Sequence, residues 1–283
     1  MLTRQIIEEA VNRALAEDAP WGDATSEYLI PAVAVATATL EAREPGIMAG
    51  GLVFEAAFKQ VSPEVDVELL VADGESFTAK QTLAKVTGPA RAVLTGERVA
   101  LNFLQRMTGI ATHTAQYVAE VSGTKAKIVD TRKTTPGLRA FEKYSVRCGG
   151  GHNHRYGLSD AVMAKDNHLA ILTRGGKDLT TELKRVRSEL GHTTHLEVEV
   201  DRLDQIPAVL AAEVDTIMLD NFTIEDLKAG VALIAGKAVV EASGGVNLAT
   251  VGSIAETGVD VISVGALTHQ IRSLDLGLDV AID

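Results

Sequence analysis

The first ninety residues show two patterns of apolar positions. Residues 4–17 place apolar side chains at i, i+4 spacing, which predicts an amphipathic helix with Thr3 as its N-cap. Residues 33–93 alternate β-branched and polar residues between turn residues, which predicts antiparallel strands. This region therefore combines an antiparallel sheet with at least one helix.

A long helix is predicted next, over residues 94–121. Gly109 is a point at which the helix could break, and Gly123 ends it.

Six short apolar runs follow, and each ends in polar residues or glycine. Helical stretches separate the later runs, so the pattern is the βα repeat of a parallel α/β barrel. Six strands can be counted, and the sequence does not complete them to eight. The runs are residues 127–133, 161–168, 195–200, 216–221, 238–245 and 261–266.

Composition narrows the class of protein. The chain has 283 residues, of which 46% are hydrophobic and 23% charged, as in a globular protein with a sizeable core. Its net charge of −11 argues against nucleic-acid binding as the main function. No apolar run is long enough to span a membrane, the first residues lack a secretory signal, and Cys148 is the single cysteine. We expect a cytoplasmic protein.

Polar residues cluster where the predicted barrel strands end. In such a fold the ligand site lies at the carboxyl ends of the strands. Between Lys125 and Lys165 there are nine basic residues against three acidic ones, in an otherwise acidic chain. This predicts a site for a small polyanion. The strand ends carry Thr131, Arg132, Lys133, Lys165, Glu199, Asp220, Ser243, Gly244, Gly245 and Gly265.

The glycines and carboxylates of this set suggest different roles. The turns EASGGV and SVGALT allow backbone N–H groups to approach a phosphate. Glu199 and Asp220 offer hard oxygen ligands, which suggests Mg²⁺ bridged to a pyrophosphate. The alternative is that they form ion pairs with Lys165 or Lys133.

The segment CGGGHNHR carries two histidines and the cysteine. It lacks the spacing of a structural zinc site, so we interpret His154 and Arg155 as anion donors and Cys148 as a small buried residue. A GxSxG elbow, a Walker loop and a GxGxxG motif are absent from the sequence.

These motifs resemble one known family. GERVALNFLQRMTGIATHT and AKIVDTRKTTPGLRAFEKYSVRCGGGHNHRYGLSDAVMAKDNH, followed by LEVEV, IMLDN, EASGGV and ISVGALTH, closely resemble quinolinate phosphoribosyltransferase, and AEDAPWGDATS and AREPGIMAGG upstream agree. The resemblance covers nearly the whole chain. It implies that the chain joins quinolinate to phosphoribosyl pyrophosphate (PRPP), giving nicotinate mononucleotide, pyrophosphate and CO2 for NAD synthesis.

The resemblance also implies the architecture and the assembly. An α/β sandwich domain would comprise residues 1–113 with the tail 270–283, and residues 114–269 would form an α/β barrel of the type II phosphoribosyltransferase kind. A homodimer would share its active sites, with Arg98 reaching in from the partner subunit. Assembly into hexamers stays open.

Residue roles follow from the resemblance in the same way. Lys133, Lys165, Glu199 and Asp220 would be catalytic, and Glu199 and Asp220 would position Mg²⁺, the one expected cofactor, and the ribose hydroxyls. Quinolinate would be bound by Arg98, Arg132, His154, Arg155 and Lys165. PRPP would be bound by Lys133, Ser243, Gly244, Gly245 and Gly265, and Thr131 and Ser263 would be further substrate-binding residues.

Three other functions remain open from the sequence. One is a relative with the same fold from molybdenum-uptake gene clusters, and another is nicotinate phosphoribosyltransferase, although a rich basic set favours a dicarboxylate. The third is a non-catalytic sensor that binds a phosphorylated metabolite on the same barrel.

Overall fold

The computed structural model describes residues 2–282, which form two compact units. The first unit contains the chain through Ala115, residues 135–150 and the chain from Gln270 onward; the second contains residues 116–134 and 151–269. Residues 135–150 thus belong to the first unit, whereas the predicted boundary put them in the barrel. The ion pair between Arg106 and the buried Glu142 accounts for this, because it anchors the segment to that unit.

In chain order, the helices are α1 (Arg4–Asp18), α2 (Ala24–Leu29), α3 (Gly51–Val61), α4 (Ala90–Glu120), α5 (Arg139–Cys148), α6 (Asp166–Leu172), α7 (Leu179–Glu189), α8 (Ile206–Leu210), α9 (Ile224–Ile234), α10 (Val251–Ala255) and α11 (Ala266–His269). The strands are β1 (Val35–Ala42), β2 (Gly46–Ile47), β3 (Asp66–Leu69), β4 (Ser76–Phe77), β5 (Thr82–Pro89), β6 (Lys127–Val129), β7 (Val162–Ala164), β8 (Leu196–Val200), β9 (Thr216–Asp220), β10 (Val239–Ser243), β11 (Val261–Ser263) and β12 (Leu276–Ile282).

The first unit is built on a four-stranded antiparallel sheet in the order β12-β1-β5-β3. The predicted first helix and its cap are confirmed, since Thr3 Oγ1 accepts a hydrogen bond from Ile6 N. Helix α3 was not predicted and interrupts the strand region. Its residues Val53, Phe54, Ala57 and Phe58 recur at helical spacing and are fully buried, so burial of one face explains it.

Helix α4 runs without a break through Gly109, so the expectation that it could break there was wrong. A Cβ atom at Gly109 would lie 2.3 Å from the carbonyl oxygen of Arg272. The glycine is therefore explained by a close approach of backbone and not by a helix end.

The second unit contains all six predicted parallel strands, in the order β6-β11-β10-β9-β8-β7. Strands β8, β9 and β10 are buried along most of their length, as expected for a parallel sheet covered on both faces. Strands β6 and β7 lie at the two edges, and no pairing joins them among residues 2–282. Parallel strands bring their carboxyl ends to one edge, which places the polar residues of the six runs there.

Helix α4 is the longest helix, but none of the helices among the described residues has the length and apolar character needed to span a membrane.

Candidate active site

All predicted site residues except Arg98 lie in the second unit. Arg98 is an exposed residue of α4 in the first unit. Arg132 and Lys133 are exposed just beyond β6, and Thr131 orders this loop because its Oγ1 accepts a hydrogen bond from Lys133 N at 3.0 Å.

Lys133 lies beside the glycine turn that follows β11. The position of a Cβ atom on Gly265 would be 3.1 Å from Lys133 Cδ, and Thr268 Oγ1 donates to Lys133 O at 2.6 Å. The loops after β6 and β11 therefore meet, in agreement with the adjacent pairing of these two strands. This brings together a lysine and a glycine that were both predicted to bind PRPP.

The turn after β10 requires glycine. Gly244 has a φ of +92° and Gly245 a φ of +62°, which is the left-handed region. A Cβ atom at Gly244 would lie 2.1 Å from Asn221 Oδ1, so a larger residue would collide with Asn221, which directly follows β9. Ser243 also contacts Asn221, because its carbonyl oxygen accepts a hydrogen bond from Asn221 N at 2.9 Å.

Lys165 and Glu199 form an ion pair across the ends of β7 and β8. The Lys165 side chain is 46% exposed and the Glu199 side chain 14%, so the cation is the partner that faces solvent. The sequence left Glu199 open as a Mg²⁺ ligand or as an ion-pair partner of a lysine. The structure shows the ion pair with Lys165. A carboxylate retains further lone pairs, so the pair still leaves oxygen available to a metal ion.

Asp220 is half-buried at the end of β9 and accepts a hydrogen bond from Asn221 Nδ2 at 2.7 Å. Asp220 lies two residues further along the strand direction than Glu199, because the residue of β9 that pairs with Glu199 is Met218. Two carboxylates on neighbouring strands are a donor set that suits Mg²⁺.

Asp130 is fully buried at the end of β6 and holds the segment that carries His154. Its carboxylate accepts from His154 N at 2.9 Å and from Asn153 Nδ2 at 2.5 Å. The neighbouring Arg155 donates from Nη1 to Ala161 O at 2.9 Å. The two predicted anion donors of this segment are thus held by part-buried hydrogen bonds.

Two functional candidates were not predicted from the sequence. Glu197 and Glu241 are only 3% and 4% exposed and lie beside His154. His154 Nε2 is 3.2 Å from Glu197 Oε2 and 3.6 Å from Glu241 Oε1. Burial, and then the Glu197 carboxylate, raise the pKa of Glu241 to about 7.

A sequence signal for these glutamates does exist. Glu197 precedes Glu199 by two residues on β8, and Glu241 precedes Ser243 by two on β10. Residues two apart on a strand point to the same face, so both glutamates face the same side as a predicted site residue. Ser263 joins this buried group, being 5% exposed with its Oγ 3.5 Å from Ala242 O.

A cavity of about 1000 Å³ lies at the opposite ends of the strands. Among the charged residues of its lining, Lys125 pairs with Asp260 and Asp215 pairs with Arg187. None of the predicted site residues is in this lining, so the carboxyl ends of the strands are the better candidate site.

The parallel α/β unit, with basic side chains and glycine turns at one edge, defines a binding site for a phosphorylated, polyanionic small molecule. Sequence comparison supplies the family. The model described as "Quinolinate phosphoribosyl transferase, C-terminal domain" matches residues 110–279, and the corresponding "N-terminal domain" model matches residues 23–108. The chain belongs to the quinolinate phosphoribosyl transferase family.

Relatives agree over nearly the whole chain. The nicotinate-nucleotide pyrophosphorylase [carboxylating] of Mycobacterium leprae is 43% identical over 278 residues, covering 96% of both chains. A probable enzyme of the same name from Bacillus subtilis is 38% identical, covering 98% of this chain and 94% of the relative. The solved structure of NadC from Streptococcus pyogenes, at 38% identity, has a TM-score of 0.94 over 100% of this chain and 98% of the other.

Proposed function

We propose that this chain transfers the phosphoribosyl group of PRPP to quinolinate with loss of CO2, producing nicotinate mononucleotide and pyrophosphate for NAD biosynthesis. The observation that carries the proposal is the set of basic residues Arg132, Lys133, Arg155 and Lys165 in the second unit of a chain that belongs to this family. Quinolinate brings two carboxylates and PRPP a phosphate and a pyrophosphate, so the substrates require such a concentration of positive charge.

The basic residues divide between the two substrates. Arg132 and Arg155 suit the quinolinate carboxylates, because a planar guanidinium can form two parallel hydrogen bonds with a carboxylate. His154 belongs to the same segment as Arg155. Lys165 contributes a compact positive charge. When quinolinate binds, its ammonium group pairs with a substrate carboxylate in place of Glu199. Lys133, with Thr131, the 243–245 turn, Ser263 and Gly265, surrounds the phosphates of PRPP.

The transfer needs no protein nucleophile. The bond from ribose C1 to the pyrophosphate oxygen breaks with its electrons leaving on oxygen, and the ring nitrogen of quinolinate forms the new bond to C1. The alkylated ring is then a pyridinium, which accepts the electrons left at C2 when the adjacent carboxylate departs as CO2, and C2 takes up a proton. The side chains orient both substrates, neutralise charge and exclude water from the activated ribose.

Mg²⁺ is the cofactor we propose, held by Glu199 and Asp220 together with PRPP oxygens. When bound it supplies positive charge near the departing pyrophosphate. The support is the chemistry of two carboxylates on neighbouring strands beside a phosphate-binding turn.

We further propose a homodimer in which Arg98 of one subunit completes the quinolinate site of the other. An exposed guanidinium on α4 supports this arrangement. We also propose a cytoplasmic location. The single cysteine supports it, because a chain with one cysteine has no internal disulfide and suits a reducing compartment.

The test supplies the purified protein with PRPP, Mg²⁺ and either quinolinate or nicotinate, and measures pyrophosphate and CO2. We expect equimolar release of both products with quinolinate alone. Pyrophosphate from nicotinate without CO2 would assign the chain to nicotinate phosphoribosyltransferase activity. PRPP binding without turnover of either acid would favour the molybdenum-cluster relative or a sensor.

Lys165→Ala serves as the matched variant for this assay. We expect turnover to fall about 100-fold or more, because a charge that stabilises the bound anions is lost. The free energy of unfolding should change by less than about 1 kcal/mol, since the pair with Glu199 is partly exposed. Turnover close to the parent value in the folded variant would contradict the role of Lys165.

A further inference from the structure

Two buried glutamates of the second unit, Glu197 and Glu241, lie beside the partly exposed His154, and the proposed chemistry uses neither carboxyl group. The ligand atoms of His154, Glu197 and Glu241 all lie within 4.8 Å of one another. Oε1 of Glu197 and Oε1 of Glu241 have no hydrogen-bond partner among residues 2–282. Two buried carboxyl groups with incomplete partners are costly to a fold, so their presence calls for a function.

The imidazole of His154 has a defined proton position. Arg155 N–H donates to His154 Nδ1 at 2.7 Å, so this nitrogen is an acceptor and carries no proton. The ring proton therefore lies on Nε2, the nitrogen that faces Glu197 and Glu241. The ring thus connects two buried carboxyl groups to the backbone of Arg155.

Two further contacts hold the same segment. Asp130 accepts from His154 N, and the Arg155 guanidinium donates to Ala161 O. The backbone at Arg155 is therefore positioned between the Asp130 contact and the imidazole. A shift of the imidazole would move the peptide N–H of Arg155 and, with it, the start of its side chain.

We propose that Glu197 and Glu241 are positioning residues that hold the His154 imidazole in its Nε2–H form and thereby set the position of Arg155 for a quinolinate carboxylate. The inference rests on the proposed function, because it takes quinolinate as the anion that Arg155 binds. His154 then acts on substrate binding chiefly through its neighbour.

The kinetic test compares Glu197→Ala, Glu197→Gln, Glu241→Ala and Glu241→Gln with the parent enzyme. Removing a buried carboxyl group that faces the imidazole should raise the KM for quinolinate about tenfold in the alanine variants, with a smaller effect on kcat and on the KM for PRPP. Glutamine keeps a hydrogen-bond acceptor, so both glutamine variants should recover part of the loss. Glu225→Gln, on the exposed side of α9, removes the same charge elsewhere in the unit and should behave as the parent.

A spectroscopic test reads the ring directly. Two-dimensional ¹H–¹⁵N spectra of the histidine rings, assigned with His154→Gln, should show His154 as the Nε2–H tautomer in the parent. In Glu197→Ala and Glu241→Ala the ring should show tautomer exchange or added protonation. If the substitution only destabilised the fold, the melting temperature would fall, but the signals of His154 would not change more than those of the other rings among the seven histidines.

Several outcomes would overturn the proposal. These are a His154 ring protonated at Nδ1, an unchanged quinolinate KM in folded alanine variants, or an equal loss for both substrates. A stoichiometric divalent ion that survives dialysis against EDTA and is lost in Glu241→Ala would replace the hydrogen-bonded group with a metal site. Absence of quinolinate turnover in the parent enzyme would refute the proposed function instead, while the ring spectra would still test the position of the proton.

Discussion

At the scale of single residues, ionisation of Glu241 is linked to folding. Burial and the neighbouring Glu197 carboxylate raise its pKa from the usual 4.5 to about 7. The folded chain therefore keeps a proton that the unfolded chain has already lost, so stability from this group is full below about pH 4.5 and is lost as the pH rises to about 7. We predict that Glu241→Gln flattens this decline in the free energy of unfolding.

Chemical denaturation at several pH values between about 5 and 8 measures the effect. Glu225→Gln removes an exposed carboxylate and should retain the slope of the parent protein. Parallel profiles for Glu241→Gln and the parent would show that Glu241 ionises at its ordinary pH in the fold.

The positions of the candidate site residues were predictable where these residues end a strand. Arg132, Lys165 and Glu199 follow apolar runs, and the structure puts them at the carboxyl edge of the parallel sheet. Glu197 and Glu241 were not recognised, because a glutamate inside a strand can face either solvent or the interior and the local pattern alone does not decide between them. Likewise, the pairing of Lys165 with Glu199 depends on which strands are neighbours.

At the scale of elements, Gly109 shows that a glycine in a helical pattern can reflect a close contact with another backbone segment and not a break in the helix. In an exposed helix interior, alanine stabilises by about 1 kcal/mol relative to glycine. Here the added Cβ would lie 2.3 Å from Arg272 O, a backbone atom that cannot rotate away. We predict that Gly109→Ala lowers the free energy of unfolding by about 1 to 3 kcal/mol, as overpacking does.

Gly252→Ala in α10 is the matched control. The nearest atom to its added Cβ is Glu120 O at 3.5 Å, an ordinary contact, so this variant should be neutral or more stable. Urea denaturation of both variants gives the comparison. A gain in stability for Gly109→Ala would show that the segment at Arg272 moves away at little cost.

Helices and strands were predictable in unequal measure. The first helix followed from its i, i+4 spacing and the six parallel strands from short apolar runs, and both predictions were confirmed. Helix α3 was missed because it lies between strand-like stretches, and its signal is one face of buried residues that requires the neighbouring sheet for its burial. Local pattern therefore identified elements whose signal does not depend on distant partners.

At the scale of the whole molecule, contacts between distant parts of the sequence decide the arrangement. Strand β12 pairs with β1, and β11 lies between β6 and β10 although β6 precedes β7 in the sequence. These pairings bring the loops after β6 and β11 together and so place Lys133 beside Gly265. No local pattern contains this information.

The proposed sharing of active sites gives the last prediction. If Arg98 serves the partner subunit, a mixed dimer of Arg98→Ala and Lys165→Ala contains one site with both defects and one intact site. Random exchange at equal concentrations makes half of the dimers mixed, so activity should recover to about a quarter of the parent level. Activity is measured after subunit exchange, and exchange is verified by mass spectrometry of the native dimers.

Lys165→Ala mixed with Arg132→Ala is the control, because both residues belong to the second unit of one chain. Each site of that mixed dimer keeps a defect, so we expect no recovery. Exchange without recovery in the first mixture would mean that Arg98 acts within its own subunit or not at all. Recovery in both mixtures would instead place Arg132 and Lys165 in sites built by different chains, which would contradict the single-chain quinolinate site proposed for the second unit.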